Sequence, residues 1–172
     1  MDEFLAGIMN RPPEVPAVVP GPFVVIRLMG APKGKGRPRT RVIGEFATIY
    51  TDAKTRKYES ALKDEGIKAM AGREPTDEAL SVVVCAYMPV PASWSAKKRA
   101  AAIAGDIMPT SGIDLDNIIK MIDGLNYHPP RLKGDRVKRP IIWHNDAQIV
   151  SMQAIKSYSA HPRLEITVWH WA

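Results

Sequence analysis

Apolar residues recur along this chain with two periods, one near two and one near 3.6. Phe23–Leu28 (FVVIRL) and Ala79–Met88 (ALSVVVCAYM) are short runs rich in β-branched residues, and the second stops at Pro89 and Pro91. Both predict strands, the longer one buried. Between them Tyr58, Leu62 and Ile67 or Met70 form a stripe that predicts a helix, with Thr51 or Asp52 as N-cap and an end near Gly72. The basic stretch before it, 30–43, reads as a loop. Ser93 is placed to cap a short helix running through Lys97, Lys98 and Arg99 to Ala104, and 105–113 reads as a loop. Ile118, Met121, Ile122 and Leu125 recur at i, i+3, i+4 and i+7, which predicts a helix opening at Asp114 or Asp116 with that face in the core. Gln148–Lys156 and Leu164–Trp171 predict two antiparallel strands joined across 157–163.

The order β-α-β-α-α-β-β predicts an α+β or mixed α/β fold, a small mixed sheet with helices packed on it. Pro12, Pro13, Pro16, Pro20 and Pro22 oppose regular structure in 1–22, so a proline-rich tail precedes one domain at 23–172. Phe4, Leu5, Ile8 and Met9 in that tail supply one apolar turn, which a partner subunit can cover.

Composition narrows the class. With 45% apolar residues the chain builds a real core, yet no stretch is long enough to span a membrane. Met1–Asn10 carries Asp2 and Glu3 and lacks a basic n-region, so the expectation is a cytoplasmic protein. Cys85 is the single cysteine and has no internal disulfide partner.

The formal charge is +6, and its placement matters more than its size. Segment 30–43 holds Lys33, Lys35, Arg37, Arg39 and Arg41 and no acid. Segment 127–141 holds Arg131, Lys133, Arg136, Lys138 and Arg139 against Asp135. The remainder is net acidic. The five cations of 33–41 fall at every second position, so an extended backbone aims them one way, as a rail for phosphates. The glycines of 30–36 do not follow the order of a nucleotide-binding loop.

The chemistry concentrates in Ile113–Lys120 (IDLDNIIK). Asp114 and Asp116, at i and i+2 on extended backbone, project to one side while Leu115 points the other way. Two carboxylates held that close repel unless a cation lies between them. Mg²⁺ suits the task, because it takes one or two carboxylates plus water and phosphate oxygens. Lys120 lies one helical turn after Asp116, away from the core stripe, where it reaches the same region. His144–Gln148 (HNDAQ) precedes a strand, and Asp146 there is a candidate third carboxylate. His128, His144, His161 and His170 show no metal-ligand spacing, and Trp94, Trp143, Trp169 and Trp171 suit core or interface, Trp143 lying beside the acidic segment.

DLDNIIKMIDGLN at 114–126 and NDAQIV at 145–150 resemble the RusA family of Holliday-junction resolvases. KGRPR at 35–39, Tyr50, KTRKYE at 54–59 and PASWSAKKR at 91–99 continue the similarity, the last toward phage members. The resemblance implies a homodimeric, RusA-like fold and a Mg²⁺-dependent crossover junction endonuclease, with Mn²⁺ as a substitute metal. It assigns Asp114, Asp116 and Asp146 to the metal and Lys120 to catalysis. Branched DNA is the implied partner, contacted by Lys33, Lys35, Arg37, Arg39, Arg41, Lys54, Arg56, Lys57, Arg131, Lys133, Arg136, Lys138 and Arg139, with no cofactor beyond the metal. A nucleoid-associated enzyme of recombination and repair, prophage-encoded, is implied by resemblance alone. Two features depart from the pattern. Asn145 stands where the family has the first of two acids, and the linker before Asp146 is long and basic. The alternatives are a nuclease for other branched or single-stranded DNA and a non-catalytic basic DNA-binding dimer.

Overall fold

A computed structural model describes residues 21–36, 39–43, 46–50, 52–127 and 139–171; for 39–43, 46–50 and Asp123 it describes the backbone alone. The tail at 1–20 lies outside the described residues, as do His128, Arg131, Lys133, Arg136 and Lys138 of the second basic segment and Arg37 of the first.

Among the described residues six strands and three helices follow one another as β1 (Val24–Met29), β2 (Arg39–Ile43), β3 (Phe46–Tyr50), α1 (Ala53–Met70), β4 (Leu80–Pro89), α2 (Ala96–Ala104), α3 (Leu115–Ile119), β5 (Ile149–Ser159) and β6 (Arg163–His170). Short 3-10 turns at Ile122–Gly124 and Asp146–Gln148 flank the crossing into β5. Among the described residues no helix is long and apolar enough to cross a membrane.

β1, β6, β4 and β5 form one mixed sheet in that order. β1 and β4 both run antiparallel to β6, and β4 and β5 run parallel. A parallel pair needs a crossover connection, and the stretch holding α2 and α3 supplies it. Alternation along β4 and β6 turns Leu80, Val82, Val84, Ala86, Leu164, Ile166 and Val168 inward, and Val24 and Ile26 of β1 join them. Tyr58, Leu62 and Met70 of α1 and Ile118, Met121, Ile122 and Leu125 of the α3 region close over this face. These side chains are buried in one contiguous core, and truncating one of its leucines, isoleucines or methionines to alanine costs about 2–5 kcal/mol.

The predicted α+β class holds, with four differences of detail. The stretch 30–43 is not wholly a loop, because Arg39–Ile43 pairs with Phe46–Tyr50 as an antiparallel hairpin. Alternation in Arg-Thr-Arg-Val-Ile is a strand pattern that its charges and the glycines upstream conceal. Ser95, not Ser93, caps α2, its hydroxyl accepting from the Lys98 N–H at 3.4 Å. The helix after Asp114 keeps α geometry only to Ile119 before tightening into the 3-10 turn. β5 and β6 run antiparallel but are not neighbours, since β4 lies between them.

Candidate active site

α3 opens at Asp114, whose extended backbone (φ −69°, ψ 143°) puts it at the N-cap position, although its side chain makes no capping bond. Asp116 follows in the first turn and Lys120 ends the helix. Lys120 Nζ donates to Asp116 Oδ2 at 2.9 Å, as the i, i+4 spacing allows. The hydrogen bond from Lys120 holds the Asp116 carboxyl below the usual carboxylate range, helped by the Asn117 N–H. Both side chains are more than half exposed, so their ion pair adds little to stability. Its consequence is local: Asp116 is kept ionised and aimed at solvent, with a cation against it. Asp114 is exposed beside it.

Two distant segments fix this turn. Lys156 on β5 extends Nζ to the carbonyl of Ile113 at 2.8 Å, just before Asp114. On the other side the 31–36 loop lies against the helix, with the Lys35 N–H donating to the Asn117 carbonyl at 2.7 Å. Gly34 makes that approach possible. A Cβ there would stand 2.6 Å from Ile113 Cγ2 and 2.9 Å from Asn117 Cβ. The loop thereby brings Lys33 and Lys35 to the first turn of α3. Beneath it Tyr58 is buried, and burial pushes its phenol up to about 12 against a backbone contact from Lys33 that lowers it. Lys33 also shares a cavity of about 480 Å³ with Lys54 and Lys57 from the first turns of α1. Lys54, Arg56 and Lys57 are all exposed, so the loop and α1 build one basic surface. Arg39 and Arg41 fall two apart on β2; Arg139 is half-buried beside Arg73 and His144.

Asp146 is held quite differently. Trp143, fully buried, donates its indole Nε1–H to Oδ1 of the exposed Asp146 at 2.8 Å. Trp143 is itself placed by Asn126, a fully buried polar residue at the end of the α3 region. Asn126 Oδ1 accepts from the backbone N–H groups of Ile141, Ile142 and Trp143 at 3.3, 2.7 and 3.0 Å, and its amide donates to the Trp143 carbonyl. A buried amide must find such partners, because leaving them unmade is costly. Asn145 caps the 3-10 turn that carries Asp146, and Gln148 closes the capping box. Gln148 also ties the turn to the carbonyls of Thr76 and Glu78.

Asp114, Asp116, Lys120, Lys33 and Lys35 therefore share one neighbourhood. Asp146 does not join them within the chain. The crossover sends α3 back along β5, so Asp114 lies near Lys156 while Asp146 precedes Ile149. Seven residues of strand separate those levels, about 23 Å. Among the described residues no three His, Cys, Asp or Glu side chains stand close enough to hold a metal ion. His144 pairs loosely with Asp77 at 3.6 Å on the surface. Asn126, Gly34 and Lys156 are the residues that sequence reasoning missed. The one signal for Asn126 was a lone amide closing an apolar stripe; for Gly34 it was a glycine inside a basic run.

A family profile described as Endodeoxyribonuclease RusA matches residues 29–169. The chain is also similar to the "Uncharacterized protein YqaN" of Bacillus subtilis (strain 168), with 28% identity over 144 residues that cover 81% of this chain and 90% of that protein.

Proposed function

From the premise that the chain belongs to the RusA family of Holliday-junction-resolving endodeoxyribonucleases, we propose that it resolves four-way DNA junctions in recombination and repair by paired, symmetric, Mg²⁺-dependent nicks. One observation carries this reading: the exposed Asp114 and Asp116 at the first turn of α3, with Lys120 on Asp116 and the Lys33–Lys35 loop against the same turn.

The donor set suits a hard divalent cation. Mg²⁺ is usually held by one or two carboxylates with water and substrate phosphate oxygens, without a full protein cage. Asp114 and Asp116 would hold it, with Asp146 as a third carboxylate, and Mn²⁺ offers the same oxygen chemistry. When bound, the ion neutralises phosphate charge and lowers the pKa of a coordinated water. The chain's own groups do the rest. Lys120 keeps Asp116 ionised and presents an ammonium one turn along, where charge develops on the scissile phosphate and leaving oxygen. Lys33, Lys35, Lys54, Arg56 and Lys57 align the DNA backbone.

A second copy reconciles Asp146 with this site. β5 is an edge strand and exposes Val150, Met152 and Ile155. Bare edges of this kind invite pairing. Two β5 strands paired antiparallel about a two-fold axis near Met152 bring the level of Ile149 on one beside Lys156 on the other. Asp146 of the partner subunit then arrives at Asp114 and Asp116. A C₂ dimer so built carries two equivalent sites, matching the two-fold symmetry of a four-way junction.

The test is cleavage of a mobile four-way junction with Mg²⁺, with products mapped on all four strands beside flap, single-stranded and duplex controls. Paired nicks on opposed strands, abolished by chelator, are expected. Cleavage of flaps or single strands with the junction left whole would reassign the substrate. Binding without divalent-dependent cleavage of any DNA would make the protein a binding module.

A further inference from the structure

The stretch Pro91–Arg99 takes no part in the site above, yet it lies at the same end of β5. Trp94 is half-buried, and its ring and that of Tyr158 meet in a T-shaped pair at 5.3 Å and 67°. Tyr158 follows Lys156 by two residues on one face of β5, and Lys156 holds the carbonyl before Asp114. The indole therefore borders the neighbourhood of Asp114 and Asp116.

Its other partner is a cation. Lys98 Nζ stands 4.0 Å from the Trp94 ring centroid. Lys97, Lys98 and Arg99 are consecutive and exposed, with no Asp or Glu anywhere in 91–105. An anchor that only pins α2 to the sheet requires the indole against Tyr158. It does not require a lysine over the ring with two further cations next to it on the exposed helix. A cation–π contact at an exposed site is weak, so an arriving phosphate can draw the ammonium off the ring. That leaves an aromatic ring with one cation at its edge and two more beside it on the exposed helix, groups of the kind that hold single-stranded nucleic acid by stacking any base and neutralising its backbone.

We propose that Trp94, Lys97, Lys98 and Arg99 form a platform for an unpaired deoxynucleotide of branched DNA, its base stacked on the indole and its flanking phosphates on the cations. The platform rests on the nuclease reading for its substrate. It adds what a metal site cannot provide, a preference for DNA whose bases are open at the branch point.

The experiment measures binding of the full chain, in EDTA so that nothing is cut, to a synthetic four-way junction with 2-aminopurine at the branch point. A linear duplex of the same sequence is the reference. Trp94→Leu is expected to weaken junction binding roughly 5- to 100-fold while duplex binding changes less than about twofold, and to raise 2-aminopurine emission in the complex. Trp94→Phe is expected to restore most of the loss. Lys98→Gln is expected to lower the slope of log K against log salt by about 0.7–0.9 on the junction. Equal losses on junction and duplex, or none, would overturn the platform. If Trp94→Leu does not fold, Lys98→Gln at its exposed position decides alone, and an unchanged junction slope overturns it. Wild-type cleavage with Mg²⁺ is run in parallel. Absence of all cleavage there counts against the nuclease reading, whereas the platform stands or falls on the binding data.

Discussion

Asp116 and Asp146 are both exposed carboxylates, but the chain holds them by opposite means. Asp116 sits on the first turn of a short surface helix, restrained by one ion pair with Lys120 and by two backbone contacts reaching in from Lys35 and Lys156. Asp146 sits on a 3-10 turn whose foundation is buried. Trp143 grips the carboxylate, and Asn126 ties three successive N–H groups beneath it. The first region can change its side-chain arrangement at little cost to the fold, while the second cannot move without breaking the core. The difference is what the proposed function needs, one end to meet the phosphate and its proposed metal and the other to deliver a fixed carboxylate to the proposed partner subunit.

The sharpest way to break this comparison is to separate the two ends genetically. Asp116→Asn and Asp146→Asn should each abolish junction cleavage while binding survives. Mixing the two inactive proteins with subunit exchange should return nicking, because each heterodimer then holds one fully intact site. Random exchange gives about a quarter of the wild-type nicks. No recovery in a mixture shown to exchange would mean that both carboxylates act within one chain.

Asn126→Ala comes next. It strands the buried N–H groups of Ile142 and Trp143 and the Trp143 carbonyl, while Ile141 keeps its bond to the backbone carbonyl of residue 126, and should lower stability by about 3–5 kcal/mol in thermal or denaturant unfolding. Lys120→Met offers the contrast. It should leave the melting temperature unchanged but reduce cleavage roughly 10²- to 10³-fold. A large loss of stability there would erase the distinction between the two regions. Trp143→Phe retains most of the buried ring and removes only the N–H on Asp146, so cleavage should fall about tenfold, with a stability loss near 1 kcal/mol.

Much of this was legible in the sequence, and the parts that were not share a cause. Lys120 against Asp116 could be placed from spacing alone, because an i, i+4 relation is local; the extended i, i+2 reading of Asp114 and Asp116 did not hold, since only Asp114 is extended and Asp116 already lies in the first turn of α3. The core face of Ile118, Met121, Ile122 and Leu125 followed from the same periodicity, and all four are buried. What escaped was set by partners far along the chain. Lys156 meets Ile113 across 43 residues and Asn126 meets Ile142 across 16, and neither pairing leaves a periodic trace. Gly34 reads as loop punctuation until the helix it must accommodate is in view. The order β1-β6-β4-β5 was hidden for a related reason: β5 and β6 are adjacent in sequence and invite a hairpin reading, whereas β4 pairs with both. The hairpin of Arg39–Ile43 with Phe46–Tyr50 was lost because alternating arginines look like a solvated loop.

The central claim is that this chain cuts branched DNA with the carboxylates at the start of α3. Strand-by-strand mapping of a Mg²⁺-treated mobile four-way junction, wild type beside Asp116→Asn, tests it most directly. The account predicts symmetric nicks on two opposed strands for the wild type and an intact, bound junction for the variant. Cleavage by Asp116→Asn at the wild-type rate would contradict it.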